Sequence, residues 1–160
     1  MSVTLGVILA VIGALVAAIL AGLGSVFGVL IAGKAGTGVL SEKPQLFGRV
    51  LVLQALPGTQ GIYGFLTAVI LLGRLGLTGG NVPPLSDEVG WAFLGACLPI
   101  AIVGLISAIF QGRLAASAIL MTAKQPGSAV RGMIMTALVE TYSILALLIS
   151  ILFINGIPIQ

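Results

Sequence analysis

Four long apolar stretches, separated by short segments that contain the charged residues, constrain the fold of this chain more than any other feature. They cover roughly residues 3–33, 47–75, 91–121 and 129–157. Each exceeds the roughly 20 residues that an α-helix needs to cross a bilayer. Of the 160 residues, 59% are hydrophobic and 7% are charged, whereas a soluble domain has about 25% charged residues. We therefore predict an all-α membrane protein with four transmembrane helices and exclude a water-soluble fold.

The first stretch is interpreted as a membrane span that the protein retains. Residues 1–33 contain no charged residue, and the first charge is Lys34. A cleaved signal peptide has a basic start and a shorter apolar region of roughly 7–15 residues. The chain has no His and a single cysteine, Cys97, which excludes His/Cys metal clusters and a disulfide framework. We expect Cys97 to fill the core.

The charges predict the orientation in the membrane. Six of the seven Lys and Arg residues flank the connections after the first and third stretches: Lys34, Lys43, Arg49, Arg113, Lys124 and Arg131. The positive-inside rule therefore predicts cytoplasmic loops at residues 34–46 and 122–128, with both termini outside the cell membrane. We expect Arg74 at the outer interface near Trp91, since long basic side chains extend toward water. The cations form no single patch, so we expect no nucleic-acid partner.

The chain repeats itself at a shift of 82 positions. The shift superimposes Gly22 on Gly104, Ser25 on Ser107, Pro44 on Pro126, Arg49 on Arg131 and Thr59 on Thr141. Repetition at a fixed period indicates a duplicated structural unit. We predict two tandem helical hairpins of the same topology, residues 1–80 and 81–160, within a single structural domain.

Small residues are dense along the first stretch. Gly22, Gly24 and Gly28 lie on it, and the last two form a GxxxG motif, which lets helix backbones approach closely in a membrane. These glycines are expected to pack helices. Two interpretations remain open, a compact four-helix bundle and an inner ring of tightly packed helices in a larger oligomer.

One ionisable residue, Glu140, lies deep within a predicted span. A charge at that depth costs about 2.5–3.5 kcal/mol on insertion scales, so such a residue usually has a function and a partner. Gln60, Gln111 and Glu140 lie 14 to 16 residues along their helices from the prolines of the cytoplasmic connections. At the helical rise the three side chains should reach one depth. An ion or proton relay is favoured over a permanently protonated structural carboxyl.

The second stretch places further oxygen atoms on the same side. Leu56, Thr59, Gln60 and Tyr63 fall within a face about 100° wide. Pro57 removes a backbone donor and should bend the helix, which frees the carbonyl of Leu53. Carbonyls at such a bend can bind a ligand.

These groups together predict an oxygen cage for a hard cation. The carboxylate of Glu140, the amide oxygens of Gln60 and Gln111, the Thr59 hydroxyl and a backbone carbonyl are ligands of the kind that hard cations take. One carboxylate among neutral oxygens balances a monovalent charge, so Na⁺ is favoured over Ca²⁺. Tyr63 can donate a hydrogen bond to the carboxylate, although an ordinary packing role for its ring stays open.

Three motifs carry a resemblance to a known family. These are LPGTQGIYGF on the second helix, IFQGRLAA on the third and ALVETYSIL on the fourth. Together with the duplicated hairpin and the small-residue first helix, they resemble the proteolipid subunits of V-type rotary ATPases, and among these the bacterial sodium-translocating form. The resemblance covers nearly the whole chain.

The resemblance implies a membrane rotor ring of identical subunits that ATP hydrolysis in a soluble head turns. Each protomer would carry one Na⁺ and have no catalytic residues of its own. The implied ligands are Glu140, Gln111, Gln60, Thr59 and the backbone carbonyl of Leu56, with Tyr63 as the gate. The implied partners are a stator membrane subunit with a cationic residue, the central-stalk subunits of the head and the lipid bilayer.

The first hairpin has no carboxylate of its own. At the 82-residue shift, Gly58 corresponds to Glu140 and Val29 to Gln111, so each chain should carry one ion. The alternatives are a proton-translocating version of the ring that binds H⁺ only, a small independent proton-coupled exporter, and a purely structural protein with four spans.

Overall fold

The computed structural model describes residues 4–80 and 82–159, except the side chain of Thr78, and within these ranges the fold is entirely helical. The α-helices are α1 (Leu5–Glu42), α2 (Phe47–Ala55), α3 (Thr59–Arg74), α4 (Asp87–Lys124) and α5 (Ala129–Gly156). Single 3₁₀ turns lie at Pro44–Leu46, Leu56–Gly58, Leu77–Gly79 and Pro126–Ser128. Four segments are long and apolar enough to cross a membrane: Leu5–Glu42, Pro44–Arg74, Asp87–Lys124 and Pro126–Gly156. The predicted all-α membrane fold with four spans is confirmed.

The helices extend beyond the apolar stretches, so the predicted cytoplasmic loops are wrong in extent. α1 continues through Lys34 to Glu42, and most of the predicted loop at residues 34–46 is helical. α4 begins at Asp87 and ends at Lys124, which leaves a short connection before α5. A charged residue marks where the chain meets water, but it does not interrupt backbone hydrogen bonding. Proline ends these helices, because it disfavours helical geometry in the residue before it.

The two halves share their local signals as well as their topology. Thr4 and Ser86, 82 residues apart, each accept a hydrogen bond from a backbone N–H in the first turn of the following helix. Side-chain oxygens in this position satisfy donors that the helix start leaves unpaired. Pro44 and Pro126 each begin a 3₁₀ turn. The tandem hairpin repeat is confirmed, while the boundary between residues 80 and 81 stays a prediction.

The helices α1 and α4 form the centre of the chain. In the most hydrophobic window of each, 44% of residues are buried, against 22% in the fourth span. A side chain on Gly28 would collide with the Ala108 carbonyl, and one on Gly24 would come within 2.6 Å of the Leu105 Cα. The two backbones therefore touch, as small residues allow in membranes.

Gly22 was expected to pack in the same way, and within one chain that expectation is wrong. A Cβ atom added to Gly22 would meet nothing within 4 Å. Its backbone is still close to α3, because a Cβ on Gly61 would lie 3.4 Å from the Gly22 Cα. The missing side chain of Gly22 thus points outward from the protomer.

Basic side chains fasten the ends of the hairpins. Arg74 donates to the Asn155 side chain at 3.2 Å and to the Ile157 carbonyl, and its guanidinium lies 6.0 Å from the Phe93 ring. The expected neighbour Trp91 is exposed and is not among these contacts. Arg74 instead holds the carboxyl end of α5, where unpaired carbonyls and the helix dipole favour a cation. Cys97 is fully buried, as expected.

Candidate ion-binding site

The second span is interrupted at Pro57, and the interruption presents a backbone carbonyl. α2 ends at Ala55, a 3₁₀ turn follows, and α3 begins at Thr59. The Leu56 carbonyl accepts hydrogen bonds from both the amide and the hydroxyl of Thr59, the latter at 3.0 Å. Sequence reasoning from proline geometry pointed to the Leu53 carbonyl. The proline tightens the next turn, so the Leu56 carbonyl lies beside Thr59.

Neutral oxygen atoms gather around the Thr59 hydroxyl. Thr59 Oγ1 lies 3.0 Å from the Leu56 carbonyl oxygen and 3.4 Å from Gln60 Oε1. A hydroxyl has one proton to donate, so it cannot fully satisfy both oxygens at once. Such a set is suited to a cation, which can contact several oxygens together.

Two glutamines connect the second span to the third and fourth. Gln60 Nε2 donates to Gln111 Oε1 at 2.5 Å, and Gln111 Nε2 donates to the Thr136 carbonyl at 3.1 Å. Both glutamine side chains are fully buried. Because a carbonyl can only accept, Thr136 fixes the orientation of the Gln111 amide. The Gln111 oxygen is thereby directed toward Gln60.

The Glu140 carboxylate lies half-buried at the edge of this group. Its Oε1 accepts a hydrogen bond from the Tyr63 hydroxyl, and among the described residues this is its only side-chain hydrogen bond. Neither glutamine contacts it in this way. Thr136, which Gln111 contacts, lies one helical turn before Glu140, a rise of about 6 Å. The structure thus brings five of the six predicted groups into two neighbouring sets, with Glu140 adjoining them through Tyr63.

The charge of this arrangement is low for a metal site. Within the described ranges, no group of three His, Cys, Asp or Glu side chains is close enough to hold a metal ion. The site therefore has one ionisable carboxylate and otherwise neutral oxygen donors. Such a set can neutralise one positive charge, either a proton or a monovalent cation.

Sequence reasoning missed the groups that hold α5 in place. Thr136 and Ser143 lie on the face of α5 that contacts α4, and Ser143 is hydrogen-bonded to Ser107. Angular counting from Glu140 would have found both, because they lie four residues before it and three after it. Attention to carboxylate and amide side chains alone passed over them.

Gln54 is separate from this site, as its angular position predicted. A Cβ on Gly33 of α1 would lie 2.7 Å from Gln54 Nε2. The side chain lines a different cavity, of about 640 Å³, together with Lys34 and Thr37. Gln54 therefore provides a matched comparison for Gln60 and Gln111.

Comparison with known proteins assigns the chain to a family. The profile of the family of the ATP synthase C subunit matches residues 12–71 and again residues 94–153. The chain belongs to this ATP synthase family of C subunits. The two matched segments are offset by 82 positions, the same shift that superimposes the halves of the sequence. The sequence and this family therefore agree on the duplicated hairpin.

Individual relatives carry the comparison further. The V-type sodium ATPase subunit K of Enterococcus hirae is 44% identical over 149 residues, which covers 93% of this chain and 92% of the relative. The A-type ATP synthase subunit K of Methanocaldococcus jannaschii is 40% identical over 94% of this chain and 63% of its own length. The 16 kDa proteolipid of the V-type proton ATPase of Nephrops norvegicus is 24% identical over 88% and 86%.

This member of the family is a non-catalytic, ion-translocating membrane subunit of an ATPase complex, and ATP chemistry belongs to other subunits. The resemblance to V-type ATPase proteolipids is confirmed. The chain is a multi-pass membrane protein. Family membership leaves the independent exporter and the purely structural protein without support.

Proposed function

We propose that this chain forms a rotor ring of identical subunits and carries one Na⁺ per protomer across the membrane on Glu140. The observation that carries the proposal is the group of neutral oxygens from Leu56, Thr59 and Gln60 beside a single intramembrane carboxylate. A proton carrier needs only the carboxylate in a desolvated position. Buried glutamine amides add a cost unless their hydrogen bonds are satisfied, and coordination of Na⁺ gives them a function.

The proposed ligands are Glu140, Gln111, Gln60, Thr59 and the Leu56 carbonyl. Gln60 Oε1 already lies near Thr59, whereas Gln111 Oε1 accepts from the Gln60 amide. Binding of Na⁺ therefore requires that these amides turn their oxygens to the ion. Tyr63 acts as the gate, since its hydrogen bond holds the carboxylate in the site and must break before Glu140 can swing outward.

Transport follows from alternation of the charge on Glu140. With Na⁺ bound the site is neutral and can face lipid, where an ionised carboxylate is costly. A cationic residue on a stator membrane subunit would displace the ion by pairing with the carboxylate. Central-stalk subunits of a soluble head would couple rotation to ATP hydrolysis or synthesis. The names of the relatives support both directions, since one is an ATPase subunit and another an ATP synthase subunit.

The orientation is proposed from the charges. Lys34, Arg49, Lys124 and Arg131 are exposed near the connections between α1 and α2 and between α4 and α5. By the positive-inside rule these connections face the cytoplasm, where the ring would meet the shaft of the head. Both termini then face outward.

A proton-only ring is the second candidate, and one observation favours it. Within the described part of the chain, no buried side-chain N or O atom lacks a hydrogen-bond partner. The amide network around Gln60 and Gln111 thus closes on itself without an ion. In that case the network would position Glu140, and H⁺ would be the only cargo.

Carbodiimide labelling of the intact complex in membranes distinguishes the two candidates. A hydrophobic carbodiimide attacks a protonated carboxyl, so Na⁺ that displaces the proton from Glu140 should slow the reaction. We expect millimolar NaCl to protect Glu140 near neutral pH, while KCl at equal ionic strength does not. If Na⁺ gives no protection and only a rise in pH slows labelling, the ring carries protons.

A further inference from the structure

A pair of buried serines joins α5 to α4 beside the carboxylate. Ser107 and Ser143 are hydrogen-bonded through their hydroxyls, and Ser107 also lies 3.4 Å from the Gly104 carbonyl. Ser143 is fully buried and Ser107 nearly so. One turn along each helix from this pair lie Gln111 on α4 and Glu140 on α5. The pair and the proposed ion site therefore occupy neighbouring levels between the same two helices.

Two polar contacts from α4 bracket Glu140 along α5. Gln111 contacts Thr136, four residues before the carboxylate, and Ser107 contacts Ser143, three residues after it. At 100° per residue both contact points lie about 40–60° to the same side of Glu140. The face of α5 toward α4 is thus fixed above and below the carboxylate. Glu140 is left at the edge, within reach of Tyr63.

The first hairpin shows what the same positions look like without a carboxylate. At the 82-residue shift Ser107 corresponds to Ser25 and Ser143 to Gly61. Ser25 Oγ accepts a hydrogen bond directly from the Gly61 backbone N–H at 2.8 Å. A Cβ on Gly61 would lie only 3.1 Å from that oxygen, so the helices there approach to backbone contact. The hairpin that contains Glu140 has a side chain between its helices at this point.

We propose that the Ser107–Ser143 pair is a positioning element that sets the spacing between α4 and α5, and through it the affinity and size preference of the site for its cation. The inference rests on the proposed sodium site. The two hydroxyls keep α5 further from α4 than the glycine contact keeps α3 from α1. This spacing leaves room for the carboxylate and an ion of sodium's size. Without a hydroxyl, α5 moves toward α4 and the oxygen cage contracts.

The test measures protection of Glu140 from the carbodiimide by Na⁺ and by Li⁺ in membranes that contain the whole complex. Ser143→Ala should raise the half-protecting Na⁺ concentration about tenfold, the scale of effect seen when groups that orient metal ligands are removed. The corresponding Li⁺ concentration should rise less, because a contracted cage suits the smaller ion. A helix that was merely loosened would lose both ions in equal proportion.

Matched variants separate spacing from general damage. Ser107→Ala removes the same contact from the other helix and should give the same shift, and the double variant should shift no further. Ser150→Ala is the control, since Ser150 is equally buried on α5 and contacts the Ile100 amide of α4 at 3.3 Å, but lies ten residues beyond Glu140. It should leave both concentrations unchanged.

The outcomes distinguish this inference from the proposed function. Protection by Na⁺ in the unaltered protein, with equal half-protecting concentrations in Ser143→Ala and Ser107→Ala, overturns the positioning role alone. An equal change for Na⁺ and Li⁺ also overturns it. Absence of protection in the unaltered protein overturns the sodium site and the positioning role with it.

Discussion

Glu140 combines two requirements that conflict in most proteins. It must lose its ligand to transport anything, yet an unpaired carboxylate in the membrane is costly. The Tyr63 hydroxyl moderates the conflict, since hydrogen bonds to charged groups are roughly twice as strong as neutral ones. The half-buried position of Glu140 also allows movement that full burial would prevent.

Replacement of Glu140 by Gln should abolish coupled ion transport and leave the ring assembled. Glutamine preserves volume and hydrogen-bonding capacity but cannot alternate its charge. Ion uptake by membrane vesicles and native electrophoresis of the extracted ring measure the two effects. Normal transport by an assembled Glu140→Gln complex would contradict the assignment of the carrier residue.

Gln111→Ala should weaken protection of Glu140 by Na⁺, with a rise of at least about tenfold in the half-protecting concentration. A lost polar contact to a charged group is worth about 1.5–3 kcal/mol, and 1.4 kcal/mol corresponds to a factor of ten. Gln54→Ala is the matched control, because its amide contacts Gly33 on the opposite side of the span. Equal effects of the two variants would argue against a ligand role for Gln111.

Tyr63→Phe should speed the release of bound Na⁺ from the isolated ring about tenfold or more. The ring volume is kept, but the hydrogen bond that holds the carboxylate is lost, and such a bond contributes about 1.5–3 kcal/mol. Release of radioactive Na⁺ after dilution gives the rate directly. An unchanged rate would leave Tyr63 as a packing residue only.

At the residue scale, the sequence predicts which side chains meet better than it predicts how they bond. Depth counting brought Gln60, Gln111 and Glu140 to one level, and the structure joins the two glutamines directly. It could not foresee that the Thr136 carbonyl orients Gln111, because a backbone acceptor has no sequence signature. The choice between the Leu53 and Leu56 carbonyls depended on whether Pro57 would open the helix or tighten it into a 3₁₀ turn.

At the scale of elements, the contact of α1 with α4 depends on the absence of side chains. Gly28 lies against the Ala108 carbonyl, and the backbone of Gly28 in turn lies where a Cβ on Gly112 would be. Dispersion contacts between backbones replace the hydrophobic effect, which does not drive helices together within a bilayer. The helix pair is therefore sensitive to single methyl groups.

Gly28→Ala should destabilise the protomer by about 1–3 kcal/mol, the usual cost of overpacking a tight interface. The added methyl would collide with Ala108 and lie 2.6 Å from the Pro57 Cβ. Thermal unfolding in detergent measures the loss. Gly38→Ala on the same helix meets nothing within 4 Å and should be neutral or slightly stabilising. A drop of equal size in both would point to helix propensity and away from close packing.

The ends of the helices were the least predictable elements. Apolar stretches mark the part of a helix that lies in lipid, and α1 and α4 continue past them into water. Cap residues and prolines mark the real ends, as at Thr4, Pro44, Ser86 and Pro126. A prediction from hydropathy alone therefore assigns loops to residues that are helical.

For the whole molecule, the duplication determines which surfaces face the same way. Helices at equivalent positions of the two hairpins run in the same direction, so the connections at Pro44 and Pro126 lie at one end. There Lys43 donates to the Ala123 carbonyl at 2.6 Å, and Arg49 donates to the Pro126 carbonyl at 3.0 Å. Cationic side chains of one hairpin thus bind carbonyls at the end of the other.

Cysteine introduced at Ser41 should react with a membrane-impermeant thiol reagent only from the cytoplasmic side. Ser41 is exposed near the carboxyl end of α1, and Cys97 is fully buried and should not react. Intact cells and inverted vesicles provide the two accessible faces. Labelling in intact cells would reverse the proposed orientation.

The glycine at position 58 has a consequence for energy conversion. A ring built from these chains would have one carboxylate for every four helices, so a ring of given circumference would move half as many ions per turn as one with a carboxylate in every hairpin. The work that a motor supplies in one turn does not depend on this number. Each ion could then be driven against twice the electrochemical potential, as in a low gear that exchanges speed for force.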